Sequence, residues 1–170
     1  STGYQWVVAF WARPETATEW EIPEAEVSLA VAAAFERYQV WRLYADPYWW
    51  EETIARWQGT YGEEHVHRFP TNRWILRMTT TLQAYETAVR TGELGHEDSV
   101  AFAEHIANAV KREVNIRDEN GDRMYVIGKE QKGSSRKMDI AMAAVLSWGA
   151  RIDALAAGED GLGGSVYDKR

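Results

Sequence analysis

Two aspartates stand where carboxylates can do chemistry. Asp46 closes the apolar run Val40-Trp41-Arg42-Leu43-Tyr44-Ala45, which reads as a buried strand, and Pro47 ends that run at once. Asp139 falls in the first turn of the segment Lys137-Met138-Asp139-Ile140-Ala141-Met142-Ala143-Ala144-Val145-Leu146, which reads as a helix. A carboxylate at a strand end and one at a helix start can converge on divalent cations such as Mg²⁺ or Mn²⁺, which prefer carboxylate oxygen and water. Two such ions about 3.5–4 Å apart stabilise both the attacking and the leaving oxygen when a phosphodiester is hydrolysed. On this reading Asp46 holds or bridges one ion and Asp139 the other. The structural alternative makes Asp139 a partner for the helix dipole and Asp46 a turn residue.

Neighbouring residues bear on that choice. Asp139 heads a helical row with Met142, Ala143, Leu146 and Ala150, the row expected to face the sheet. A carboxylate there needs a partner, because an isolated buried charge is costly. A metal would serve, and so would Arg136 or Lys137. Cations in a first helical turn oppose the macrodipole, so Arg136 and Lys137 are candidates for contact with a DNA phosphate, with simple pairing to Asp139 as the alternative. Arg73 and Lys132 are further candidates for DNA contact. His105 and Asn108, spaced i, i+3, share a helix face and could line a catalytic groove or form a hydrogen-bonded structural pair. His65 and His67 lie on one face of a strand, as a zinc pair might, but no third ligand is evident.

The elements that must position these residues are legible in outline. Gln5 to Trp11 and Val40 to Ala45 read as strands, with a helix opening at Ile22-Pro23-Glu24 between them, so a right-handed parallel pair is expected. A second helix is expected from about Tyr48 to Gln58, then a short strand from His65 to Phe69. Thr71 or Asn72 is placed to cap a long helix from about Arg73 to Arg90, closed by Gly92. A helix from about Asp98 to Arg112 comes next. Val114 to Arg117 and Arg123 to Gly128 flank an Asn-Gly hairpin turn. The last helix ends near Gly158, and 159–170 reads as a Gly-rich flexible tail. The fold class is α/β, a small mixed sheet flanked by helices, in one domain spanning 1–158.

Composition narrows the function classes. A hydrophobic content of 45% excludes a disordered chain. The absence of cysteine excludes a disulfide scaffold and a thiolate metal site. No apolar run is long enough to span a bilayer, so no membrane partner is expected. A net charge of −7 argues against a surface that coats nucleic acid generally, although local contact with DNA needs only a few cations. The 9 tryptophans could stack bases or sugars, but more commonly fill a core.

In order along the chain come Leu43-Tyr44-Ala45-Asp46-Pro47, Trp50-Glu51-Glu52, Thr71-Asn72-Arg73, His105-Ile106-Ala107-Asn108-Ala109 and Arg136-Lys137-Met138-Asp139-Ile140-Ala141-Met142-Ala143. From about Trp6 to Gly158 the chain resembles the nuclease domain of the large terminase subunit of tailed phages, the DNA-packaging motor. The resemblance implies a ribonuclease-H-like fold, a two-ion Mg²⁺ or Mn²⁺ site on Asp46 and Asp139, and endonucleolytic cleavage of concatemeric viral DNA. It implies double-stranded DNA, a portal protein, the small terminase subunit and an ATPase domain of the same polypeptide as partners, in the cytoplasm of the host. The alternative is a non-catalytic domain that docks on DNA or portal. The family's domain opens with a strand bearing a first catalytic Asp. Here no Asp precedes Asp46, and the sequence begins at what matches the family's next strand, so a stretch lacking the opening strand is expected. No Walker-type Gly-x-x-x-x-Gly-Lys-Ser/Thr occurs.

Overall fold

The computed structural model describes residues 3–14, 16–131 and 133–158. The expected tail at 159–170 and Lys132 lie outside the described residues. The described chain is mixed α/β: strands β1 (Tyr4–Gln5), β2 (Leu43–Ala45), β3 (Val66–Arg68), β4 (Gly95–His96), β5 (Val110–Arg117) and β6 (Arg123–Gly128), and helices α1 (Glu24–Arg37), α2 (Glu51–Tyr61), α3 (Ile75–Thr91), α4 (Val100–Ala107) and α5 (Asp139–Ala156). No described helix is long and apolar enough to cross a membrane.

The strands pair in twos. β2 and β3 are parallel, with Leu43 opposite Val66 and Ala45 opposite Arg68; β1 and β4 are parallel; β5 and β6 form an antiparallel hairpin. This corrects two expectations. Among the described residues there are three two-stranded sheets rather than one mixed sheet, and β1 pairs with β4 rather than with β2. The β-α-β unit of the chain is β2-α2-β3, whose connection is the shorter one. The first strand is only two residues long, because beyond Gln5 its continuation is tied through side chains: the Val7 N–H donates to Glu97 Oε1 (3.0 Å).

The β2/β3 pair separates two cores by the period-2 alternation of a strand. Leu43, Ala45 and Val66 face Ile54 and Trp57 of α2 and Val27, Val31 and Phe35 of α1. Tyr44 faces the larger core, where Phe69, Met78, Leu82, Tyr85 and Phe102 meet Ile140, Ala144, Val145, Leu146 and Trp148 of α5. Helices α3 and α5 run antiparallel, since Arg77 meets Asp153 while Thr81 lies against Gly149. Gly149 suits that close approach: a Cβ would sit 2.9 Å from Thr81 Cγ2, so the Thr81 side chain or the helix itself would have to shift.

Helix boundaries moved where side chains found other work. The α3 helix starts at Ile75, with no side-chain cap, because the Thr71 hydroxyl donates to Asp46 instead. Gly92 closes it in the left-handed conformation (φ +73°), as expected. The α4 helix starts at the cap Ser99, whose Oγ accepts from the Phe102 N–H, and ends at Ala107. Residues 110–112, expected in that helix, belong to β5, where Val110 pairs with Gly128 and Arg112 with Val126. At the hairpin turn Asp118 Oδ1 accepts from the N–H groups of Asn120 and Asp122, and Gly121 takes φ +86°.

Candidate functional site

Asp46 sits where β2 stops, half-buried, and both of its carboxylate oxygens are engaged. Oδ1 accepts the Tyr48 N–H at 3.1 Å and Oδ2 accepts the Thr71 hydroxyl. The carboxylate therefore holds together two turns, one over 47–50 closed by Trp50 N–H to Pro47 O (2.9 Å), the other over 70–73 closed by Arg73 N–H to Pro70 O (3.1 Å). Asp46 is both the strand-end carboxylate and the turn residue that the sequence suggests. Thr71 was missed as its partner. Its type and position fitted a helix cap equally well.

Beside it, on the same face of β2, stands a second cluster. The Tyr44 hydroxyl donates to Asp153 Oδ2 on α5, and Arg77 donates both to Asp153 Oδ2 (2.6 Å) and to Tyr44 Oη (3.0 Å). The Arg77 guanidinium also lies over the rings of Phe69 (4.9 Å), Trp74 and Tyr44 (both 5.3 Å). Burial, and then the hydrogen bond to Asp153, push the Tyr44 phenol above its ordinary pKa, so it stays a proton donor. Nothing in the sequence marks Asp153 as the partner of Tyr44; only the packing of α5 on β2 brings them together.

Asp139 begins α5 and is exposed. The helix start around it is fixed from α4: His105 Nδ1 accepts the Ile140 N–H (3.0 Å) and the Asn108 side-chain amide donates to Lys137 O (3.0 Å). The i, i+3 face of His105 and Asn108 is thus used as a hydrogen-bonded structural pair.

The two aspartates stand apart. Asp46 is reached from Thr71, just before α3, and its strand neighbour Tyr44 touches α5 at Gly149 and Asp153. At about 1.5 Å per residue, Asp139 lies about 21 Å of helix from Asp153. With α3 and α5 antiparallel, Asp46 is at the C-terminal end of α5 and Asp139 at its start. The expectation that they converge within this stretch is corrected: strand β2 ends toward the far end of the helix that Asp139 begins. Among the described residues no group of three or more His, Asp or Glu is placed to hold a metal ion.

The candidate DNA-contact residues divide the same way. Arg73 is exposed at the Asp46 end. Arg136, which pairs with Glu130 at 3.8 Å, and Lys137, whose carbonyl takes the Asn108 bond, belong to the approach to α5. His65 and His67 each bond a backbone carbonyl, Trp41 O and Glu64 O, both at 3.0 Å.

Comparison with known proteins adds one finding. The chain is similar to the Gene 13 protein of Mycobacterium phage D29 (34% identical over 143 residues) and to that of Mycobacterium phage L5 (31% over 143 residues). In each case the match covers 79% of this chain and 23% of the relative, so the chain spans about a quarter of the length of the curated relatives it matches. No family model matches the chain, and no solved structure matches it.

Proposed function

We propose that this chain is part of a tailed-phage terminase large subunit, within its ribonuclease-H-like nuclease domain, and that it serves the endonucleolytic cutting of concatemeric DNA during packaging. The observation that carries the reading is the placement of Asp46. It ends a strand of a parallel pair, and in α/β folds ligands bind outside the carboxyl ends of such strands. It also stands beside an acid-free stretch, 65–85, that carries Arg68, Arg73 and Arg77 in a chain of net charge −7. The order of the five motifs and the phage origin of the relatives support the same reading.

On this proposal Asp46 is contributed to a divalent-metal centre completed by other parts of a polypeptide as long as the relatives, and Asp139, at the other end of α5, serves outside that centre. The metal, when bound, would supply the charge stabilisation that phosphodiester hydrolysis requires. Double-stranded DNA, the portal, the small terminase subunit and the ATPase domain of the same polypeptide are the proposed partners. The wide separation of Asp46 and Asp139 within this stretch favours one second reading, a domain that docks on DNA or portal without cutting.

One experiment separates the two. In the full-length protein with Mn²⁺, Asp46→Asn should abolish nicking of supercoiled plasmid, with the melting temperature unchanged within a few degrees, and Asp139→Asn should leave nicking intact. Undiminished nicking by Asp46→Asn, with the wild type active, refutes the assignment. A wild-type protein that binds plasmid but never cuts it establishes the docking reading.

A further inference from the structure

Trp49 is a residue that the fold does not explain. It is the only non-glycine residue with positive φ (+68°) among the described residues, and it is 86% exposed. It occupies the third position of the turn closed by Trp50 N–H to Pro47 O, the place where a positive φ ordinarily selects glycine. A bulky side chain in the left-handed region is strained, and burial does not compensate that strain here. The residue on either side makes the contrast. Trp50 turns inward and stacks on Trp57 (6.2 Å between ring centroids), while Tyr48 is exposed and meets Trp49 edge-on at 5.0 Å.

What surrounds Trp49 indicates its ligand. Asp46 binds the Tyr48 N–H with one oxygen and the Thr71 hydroxyl with the other, so the turn bearing Tyr48 and Trp49 is held beside the turn bearing Arg73 and Trp74. Arg73 is exposed and Trp74 is 42% exposed. The acids that follow, Glu51 and Glu52, stand in the first turn of α2, at the positive end of that helix. Exposed aromatic faces beside an arginine on an acid-free stretch are what single-stranded nucleic acid requires: rings for bases and cations for phosphates.

We infer that the 47–50 turn is a stacking platform, and that Trp49 receives an unpaired base of single-stranded DNA whose phosphates meet Arg73. The choice of DNA among polyanions rests on the nuclease-domain reading; the stacking itself rests on Trp49.

The test is fluorescence anisotropy with a labelled oligothymidylate and an abasic oligonucleotide of equal length, alongside thermal melting. Trp49→Gly should melt at or above the wild-type temperature, since glycine relieves the strained φ. It should bind oligothymidylate between about 5-fold and 100-fold more weakly, the range for loss of one stacked base, with abasic binding unchanged. Trp49→Phe should retain most of the affinity, and Arg73→Ala should weaken both oligonucleotides alike. Wild-type affinity for oligothymidylate in Trp49→Gly overturns the inference. So does an equal loss on both oligonucleotides, a large drop in melting temperature, or a wild-type protein that binds neither. Binding is read without Mn²⁺ and cutting with it, so failure of the stacking platform and failure of the cutting assignment give different results.

Discussion

The two ends of α5 hold their aspartates by opposite means. At the Asp46 end the carboxylate itself is fixed: a backbone N–H and a hydroxyl take its two oxygens, and the aromatic and arginine cluster of Tyr44, Phe69, Trp74 and Arg77 packs alongside. At the Asp139 end the helix is fixed, by His105 and Asn108 from α4, while the carboxylate is exposed. A preorganised carboxylate keeps its geometry when a ligand arrives, whereas an exposed one at a helix start can turn toward whatever approaches. The two residues, alike in type and both beside a chain reversal, therefore cannot be assigned the same duty from type alone.

The largest effect is expected in the core beside Asp46. Phe69 is fully buried and joins Tyr44 and Trp74 at centroid distances of 5.4 and 5.5 Å. Phe69→Ala should destabilise the chain by about 3–5 kcal/mol, through lost burial and a residual cavity. Urea unfolding measures it, and a loss below about 1 kcal/mol would mean that packing does not hold the Asp46 end.

A smaller effect is expected at the other end. His105→Ala leaves the Ile140 N–H without its acceptor, at a cost of about 1–2 kcal/mol. Hydrogen exchange should accelerate at Ile140 and in the first turn of α5 while amides of α3 keep their protection. Uniform acceleration throughout the protein would show that His105 supports the whole fold rather than this helix start.

The smallest effect concerns Tyr85, which lies between the two ends and donates a long bond (3.4 Å) to Gln5 Oε1. Burial pushes its phenol up to about 12. A folded-state pKa above the ordinary value of about 10 means that the protonated form favours folding. That contribution is complete below about pH 10 and is lost as the pH rises toward about 12. Tyr85→Phe should therefore flatten the decline of stability between those values, read from urea midpoints in alkaline buffers. An unchanged slope would place the alkaline sensitivity elsewhere.

The kinds of element, and the residues that punctuate them, follow from local sequence. Pro23 before α1, Gly92 after α3, the Asp118-to-Gly121 turn and the apolar rows of α3 and α5 act through local backbone sterics and side-chain periodicity, which need no partner from elsewhere in the chain. Asp46 at a strand end and Asp139 at a helix start were legible for the same reason. Which strands pair is settled by the packed fold, because pairing depends on loop closure and on faces that bury together, and these are set by residues far apart in sequence. It drew 110–112 out of a helix, since the cross-strand bonds to Val126 and Gly128 outweigh a local preference. It turned Thr71 from a helix cap into a ligand of Asp46. It also set Asp46 and Asp139 at opposite ends of α5, because the antiparallel packing of α3 on α5 at Gly149 fixes the direction in which that helix runs past β2.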